Sequence, residues 1–315
     1  MPIISLDQNK WIELAKAWKQ PGKYPQQYKL IEDIADAQKE AKVIFPLTTA
    51  NIYETFKISD EKRRNDLALF QATLSQGIVF VGRHERLTQQ ATNYIRECYD
   101  FKPLIRIEPS FLSDVHWEAF AGLHDPRLGI KPHMAKLIER RCRQNPIGSL
   151  LEHFTGNQDS FRRKAVGDWS KGATALLSRL EKRRDKVKGE PKDMQHRIYS
   201  ALLVLDDIDF LNECVNNSGV PFENIFEMGD KNVLGLVPAI PTYRIERDLV
   251  VRLESHQRRL NENDLRDMQH FSTTIPYADC LISEKFFVNI AKQSKLDAAY
   301  NTRISTNIFD IREYI

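Results

Sequence analysis

A chain of 315 residues can bury a substantial core and is long enough for one large domain or two. Its 42% hydrophobic and 28% charged content is ordinary for a soluble globular protein, and no run approaches the ~20 apolar residues that a membrane-spanning helix needs. Net charge is only +3, but residues 127–200 carry 18 Lys+Arg against 8 Asp+Glu while the remainder carries 28 against 35. A basic middle in an acidic frame suits a body with a metal site and an arm that holds phosphates, although a charge run alone is usually a solvated helical face.

The opening MPIISLDQNKW lacks the basic leader and cleavage site of a signal peptide. Cys98, Cys142, Cys214 and Cys280 are far apart and form no CxxC pair, which argues against a zinc knuckle. A cytoplasmic protein with reduced, small buried thiols and no membrane partner is expected.

In chain order, Ile3 to Leu6 reads as a buried strand ending at Asp7, followed by a helix with Trp11, Leu14, Ala15 and Trp18 on one side. A second helix is predicted from about Tyr24 to Ala41, with Tyr28, Ile31, Ile34 and Ala35 as its apolar stripe. Val43 to Leu47 reads as the second strand, and Thr48 or Thr49 caps a helix carrying Ile52, Tyr53 and Phe56. A helix from about Asp60 to Ser75 is broken by Gly77, Ile78 to Val81 is the third strand, and a helix runs from His84 to about Tyr99. Short apolar strands alternating with amphipathic helices predict a parallel sheet covered on both faces.

From about Phe101 to Leu236 strand-like runs nearly vanish. This segment reads as an inserted helical subdomain with breaks at Pro126, Gly129, Pro146, Gly156, Gly189-Glu190-Pro191 and Gly219-Val220-Pro221. The α/β pattern resumes with helices over about 242–259 and 262–274, a strand at Cys280 to Ser283 and a helix from Glu284 to Gln293. An edge strand at Arg303 to Ser305 and a terminal helix capped by Thr306 or Asn307 complete it. The expectation is a three-layer α/β/α domain built from residues 1–100 and 237–315 folding together, around a basic helical insertion at 101–236.

Open α/β sheets bind ligands at the carboxyl ends of their strands, and several acids fall near such ends. Asp7 terminates the first strand, Glu54 lies on the helix after the second, and Asp279 and Glu284 flank the fourth. Asp264 and Asp267 share a helical face that His270 continues. Converging carboxylates repel one another, so a bound Mg²⁺ or Mn²⁺ is their natural compensation, and such a site can activate water against a phosphodiester.

The segment Ile4 to Ile12 resembles the first motif of the PIN-domain nucleases, an apolar strand ending in Asp-x-Asn. Pro46 to Thr55 is similar to the second motif, with Glu54 as its helical acid. Asn263 to His270 followed by Ile275 to Lys285 resembles the C-terminal acidic motifs. The resemblance covers roughly the first hundred and last eighty residues. It implies a PIN-like fold, Mg²⁺ or Mn²⁺ held by Asp7, Glu54, Asp267, Asp279 and Glu284, and cleavage of RNA more often than DNA. Gln8 departs from the family's Thr, Glu284 from its Asp, and the long insert from its compact pattern.

Plainer readings stand beside these. Asp7 can simply cap a helix, one of Asp264 and Asp267 can serve the helix start, Asp279 suits a turn as well as a ligand, and His270 suits a buried structural role. The groups Arg140-Arg141-Arg143, Arg162-Arg163-Lys164 and Arg183-Arg184-Lys186-Lys188 suggest a nucleic-acid surface only by their concentration, and Arg63-Arg64 reads as a solvated face. Phe161 and Trp169 suit base stacking or core packing. The expected function is metal-dependent cleavage of nucleic acid, with a non-catalytic PIN-like binding or sensing module as the alternative. A regulatory protein partner or a homo-oligomer is left open. A small-molecule enzyme on a nucleotide-binding fold is disfavoured because the chain has neither GxGxxG nor GxxxxGK[ST].

Overall fold

The computed structural model describes residues 1–103, 111–120, 129–156, 159–255 and 259–315; Pro126 and the side chain of Phe161 lie outside them. Five short strands are present among the described residues: β1 (Ile4–Leu6), β2 (Val79–Phe80), β3 (Leu112–Ser113), β4 (Cys280–Ile282) and β5 (Arg303–Ser305). β1, β4 and β5 form a parallel sheet in the order β1-β4-β5, with Ile4 opposite Cys280 and Cys280 opposite Arg303. β2 pairs antiparallel with β3.

The helices are α1 (Gln8–Lys19), α2 (Pro25–Lys39), α3 (Thr49–Lys57), α4 (Glu61–Leu74), α5 (Arg83–Glu97), α6 (Pro132–Gln144), α7 (Pro146–Thr155) and α8 (Asp159–Val187). They continue as α9 (Lys192–Asp206), α10 (Ile208–Ser218), α11 (Asp230–Ala239), α12 (Pro241–Ser255), α13 (Glu262–Thr274), α14 (Lys285–Gln293) and α15 (Leu296–Tyr300). The chain closes with a 3₁₀ turn at Ile308–Glu313 in place of the expected α-helix.

The three-layer α/β/α expectation is overturned. Of the described residues 71% are helix and 5% strand, and the parallel sheet they form has three strands. The two middle apolar runs account for the difference. Val43 to Leu47 is buried, yet it contributes only single bridges, Ile44 to Ile3 and Leu47 to Val79. Pro46 sits between those bridges and has no N–H to give a ladder. Ile78 to Val81 shrinks to two strand residues paired in the antiparallel sense. A short apolar run records burial and does not by itself distinguish a ladder from a buried extended segment.

Among the described residues three large apolar clusters and two small ones hold the fold. β1 packs with α1, α2 and α4 through Leu6, Trp11, Leu14, Leu30, Ile34 and Phe70. The predicted stripe of α1 is shifted, since Ala17 is buried and Trp18 is 41% exposed. α5, α10 and α11 share a second cluster through Leu87, Ile95, Leu211 and Leu236. In the third, Leu281 of β4 meets Leu249, Leu265, Phe271 and Phe287 of α12, α13 and α14, joined by Ala173 and Leu180 from α8. Burying each large apolar side chain contributes about 1.5–3 kcal/mol, and α8 joins this cluster through Ala173 and Leu180 with Trp169, Leu176 and Leu177 partly buried beside them. Among the described residues no helix is long and apolar enough to cross a membrane. All four cysteines are free, with Cys98 half-buried and the others buried.

Candidate functional site

Because β1 and β4 are parallel, both deliver the residues that follow them to the same end of the sheet. Asp7 follows β1 and Glu284 lies just beyond β4, and the Asp7 N–H donates to the Ile282 carbonyl at 2.9 Å. Asp7 caps α1: its carboxylate accepts from the Gln8 N–H at 2.6 Å and from the Ser283 hydroxyl at 3.2 Å. Asn9 donates its side-chain amide to Glu284, which is exposed.

Glu54 is brought to this edge by the start of α3. Thr48 and Asn51 form a reciprocal capping box, and the Asn51 amide donates to the Leu6 carbonyl at 3.2 Å. That bond ties the helix start to the end of β1, so Glu54, one turn after Asn51, faces Asp7. Behind it lies a polar network. Gln8 Nε2 donates to Thr55 at 2.9 Å, Thr55 to Gln71 Oε1 at 2.7 Å, and Gln71 Nε2 back to Gln8 Oε1 at 3.1 Å. These side chains are essentially without solvent contact, so each depends on its partners inside the protein.

Asp267 is carried by α13. Asn261 and Asp264 form this helix's capping box, so Asp264 is committed to the helix start. One turn beyond Asp267, His270 lies with Nδ1 3.0 Å from the Thr48 hydroxyl and Nε2 3.3 Å from that of Ser5. Burial pushes the imidazole down to about 3, so it is neutral at physiological pH and pins α13 to β1 and to the cap of α3.

The charges of these acids act on one another. Burial raises the Asp7 carboxyl, against the Gln8 N–H and the Ser283 hydroxyl, which lower it. Glu54 is pushed up to about 7, first by burial, with Arg266 and Lys57 working against the charges of Asp7 and Glu284. Asp267 is pushed up to about 8, first by burial and then by Asp7, Glu54, Glu284 and Asp264. Four of the five predicted acids therefore converge from α3, α13 and the ends of β1 and β4.

Asp279 does not join them. It precedes β4, so the length of the strand carries it to the opposite end of the sheet from Glu284. There its carboxylate accepts from the Ile3 N–H at 2.7 Å and its carbonyl accepts from the Arg303 N–H at 2.9 Å. It is a turn residue that closes the amino edge of the sheet.

Sequence reasoning missed Arg266. It is 4% exposed, and its Nε lies 3.3 Å from Glu54 Oε1. The basic groups divide. Arg162 is buried, donates to the Phe56 carbonyl at 2.7 Å and pairs with Asp159, as does Arg163. Arg143 pairs with Asp114 and Glu139, and Arg64 is a buried donor to the Ile58 carbonyl. Arg179, Lys182, Arg183 and Lys186 line a shallow depression of about 250 Å³ along α8. Arg183 is braced there by two 2.6 Å bonds to Asp206, while Lys182 and Lys186 are exposed.

The donors gathered at the carboxyl edge are oxygens, a set that suits Mg²⁺ or Mn²⁺ rather than softer metals. Among the described residues no three Asp, Glu, His or Cys side chains stand in a ready-made ligating arrangement. The acids are close enough to perturb one another without being closed onto a single point. Comparison with protein-family models, curated proteins and solved structures finds no match to this chain.

Proposed function

We propose that this protein is a metal-dependent nuclease, acting on RNA in preference to DNA, in which Asp7, Glu54, Asp267 and Glu284 hold Mg²⁺ or Mn²⁺. The observation that carries the reading is the convergence of these acids from distant segments, with Glu54 and Asp267 pushed up to about 7 and 8. Bringing carboxylates together in a half-buried setting is costly, and such arrangements cluster where function uses them. A divalent cation held there would polarise a phosphodiester and make bound water a nucleophile near neutral pH. The protein's own part is placement: the Gln8 N–H and Ser283 fix Asp7, Asn9 holds Glu284, the capping box sets Glu54, and His270 anchors the helix of Asp267.

The basic stripe on α8 supports a polyanionic substrate. It begins at Arg179, ten residues beyond Trp169, which is roughly 15 Å along the helix. Exposed lysines at such a distance suit the backbone of a single strand whose scissile phosphate reaches the acids. The preference for RNA rests on the resemblance of the acidic motifs to those of the PIN-domain nucleases.

Asp7→Asn tests the proposal, because Asn is as good a helix cap as Asp and preserves α1. The variant is expected to bind a single-stranded RNA oligonucleotide as the wild type does and to lose Mn²⁺-dependent cleavage on a gel. Cleavage at the wild-type rate would refute the assignment. The second reading, a non-catalytic nucleic-acid-binding module, is favoured by the lack of a ready-made ligating trio among the described residues. It requires a wild type that binds RNA and leaves it intact whichever divalent cation is added.

A further inference from the structure

Three helices meet at one guanidinium beside the acids. Arg266 directly precedes Asp267 on α13 and is almost wholly buried. Its Nη1 donates to Glu262 at 3.1 Å and its Nη2 to Asn263, whereas its buried Nε makes no hydrogen bond although Glu54 Oε1 is 3.3 Å away. The guanidinium lies 5.7 Å from the Tyr53 ring of α3 and 5.9 Å from the Trp169 ring of α8. Those two rings stack on each other with centroids 4.2 Å apart and planes inclined by 29°. The Tyr53 hydroxyl reaches Ser170 Oγ at 3.3 Å and Glu262 Oε1 at 3.4 Å.

Burial removes Arg266 from any direct contact with substrate. A guanidinium with an unsatisfied Nε is also an expensive way to join helices. What its position does achieve is to hold the carboxylate of Glu54, 3.3 Å from its Nε, while aromatic faces fix the guanidinium itself. Building on the nuclease reading, we propose that Arg266 is a positioning residue for Glu54 and that Trp169 seats it, so that the docking of α8 sets how tightly the acid cluster holds a divalent cation. The helix that bears the basic stripe and the acids that do the chemistry are then mechanically linked through Trp169, Arg266 and Glu54.

Trp169 is the informative position because it is uncharged. Trp169→Ala alters the seating of Arg266 and leaves every charge near the acids in place. Binding of Mn²⁺ alone, without nucleic acid, is followed by electron paramagnetic resonance at temperatures well below melting. Residues that orient a metal's ligands typically change metal affinity by about 10–100-fold, so Trp169→Ala is expected to weaken Mn²⁺ binding about ten-fold. Trp169→Phe keeps an aromatic face over the guanidinium and is expected to stay within about two-fold of the wild type. Wild-type affinity in Trp169→Ala overturns the inference and leaves the nuclease reading standing.

Coupling is reciprocal, so the wild type supplies a second measurement should Trp169→Ala fail to fold. Saturating Mn²⁺ is expected to slow amide hydrogen exchange in α8 around Trp169, and unchanged exchange there overturns the inference. A wild type that takes up no Mn²⁺ refutes the nuclease reading itself, and this inference with it.

Discussion

Replacing Asp267 by Asn removes an ionisation that the folded protein resists. The carboxyl is raised from 3.8 to about 8, first by burial and then by its acidic neighbours. An unfolded chain releases this proton near 3.8, whereas the native state keeps it until about 8. Between those values the native state binds more protons, so metal-free stability must fall as pH rises through the window. Asn has nearly the shape of the protonated acid and cannot ionise. At pH 4 the variant should differ from the wild type by less than about 1 kcal/mol. At pH 7, about three units above the unfolded value, the ceiling is about 4 kcal/mol in favour of the variant. Asp267 is partly solvated and titrates jointly with Glu54, which brings the expected gain to about 1–3 kcal/mol. The assay is urea denaturation in chelator at several pH values from 4 to 7. A difference that does not grow with pH, or a variant less stable than the wild type at pH 7, would refute the claim that these carboxylates strain the empty site.

His270→Ala deprives the Thr48 and Ser5 hydroxyls of one partner and opens a cavity, for an expected loss of about 2–4 kcal/mol by denaturant titration at pH 8. Because the fold holds the imidazole neutral down to about 3 whereas an unfolded histidine takes up its proton near 6.5, the wild type alone loses stability below that value, so the difference should shrink by up to about 2 kcal/mol from pH 8 to pH 5; a difference constant across this range contradicts the structural assignment. Lys182→Glu combined with Lys186→Glu is expected to weaken binding of single-stranded RNA and to flatten the slope of log K against log salt by about 1.4, or about 0.7 per phosphate contact. An unaltered slope would remove α8 from the substrate path.

Local chemistry was more legible in the sequence than the layering of the fold. Thr48 as a cap, Asp7 at a strand end and the helices bearing Glu54 and Asp267 follow from rules acting over a few residues. The sheet did not follow, because Val43 to Leu47 and Ile78 to Val81 carry the composition of strands while tertiary packing decides whether they ladder, and Pro46 weighs against it. Asp279 stays open between ligand and turn in the sequence because a strand's two ends are adjacent in sequence and opposite in space; its bond to the Ile3 N–H puts it at the far end from Glu284. Arg64 reads as a solvated charge, Arg162 as part of a nucleic-acid surface and Arg266 as nothing in particular, since nothing local announces that a helical arginine will be buried against carbonyls, carboxylates or rings. The Gln8–Thr55–Gln71 network was equally silent: amides 63 positions apart meet only once α1, α3 and α4 are packed.

The four acids are not equivalent, and their differences dictate how the cluster must respond to pH. Asp7 stands at the positive end of α1 and accepts the Gln8 N–H, both of which favour its anion against the cost of burial. Glu284 is exposed and bonded to Asn9. Glu54 is aided by Arg266, yet it still reaches about 7. Asp267 lies mid-helix, where no cap helps it, and reaches about 8. An arriving cation must therefore displace protons from Glu54 and Asp267 to recruit them. Below about pH 7 each displaced proton adds up to a ten-fold loss of Mn²⁺ affinity per pH unit, so the apparent dissociation constant should fall steeply from pH 6 to 8 and level off above. Titrating Mn²⁺ at pH 6, 7, 8 and 9 measures this directly. An affinity indifferent to pH would mean that Glu54 and Asp267 take no part in holding the cation, because buried acids cannot become ligands without giving up their protons.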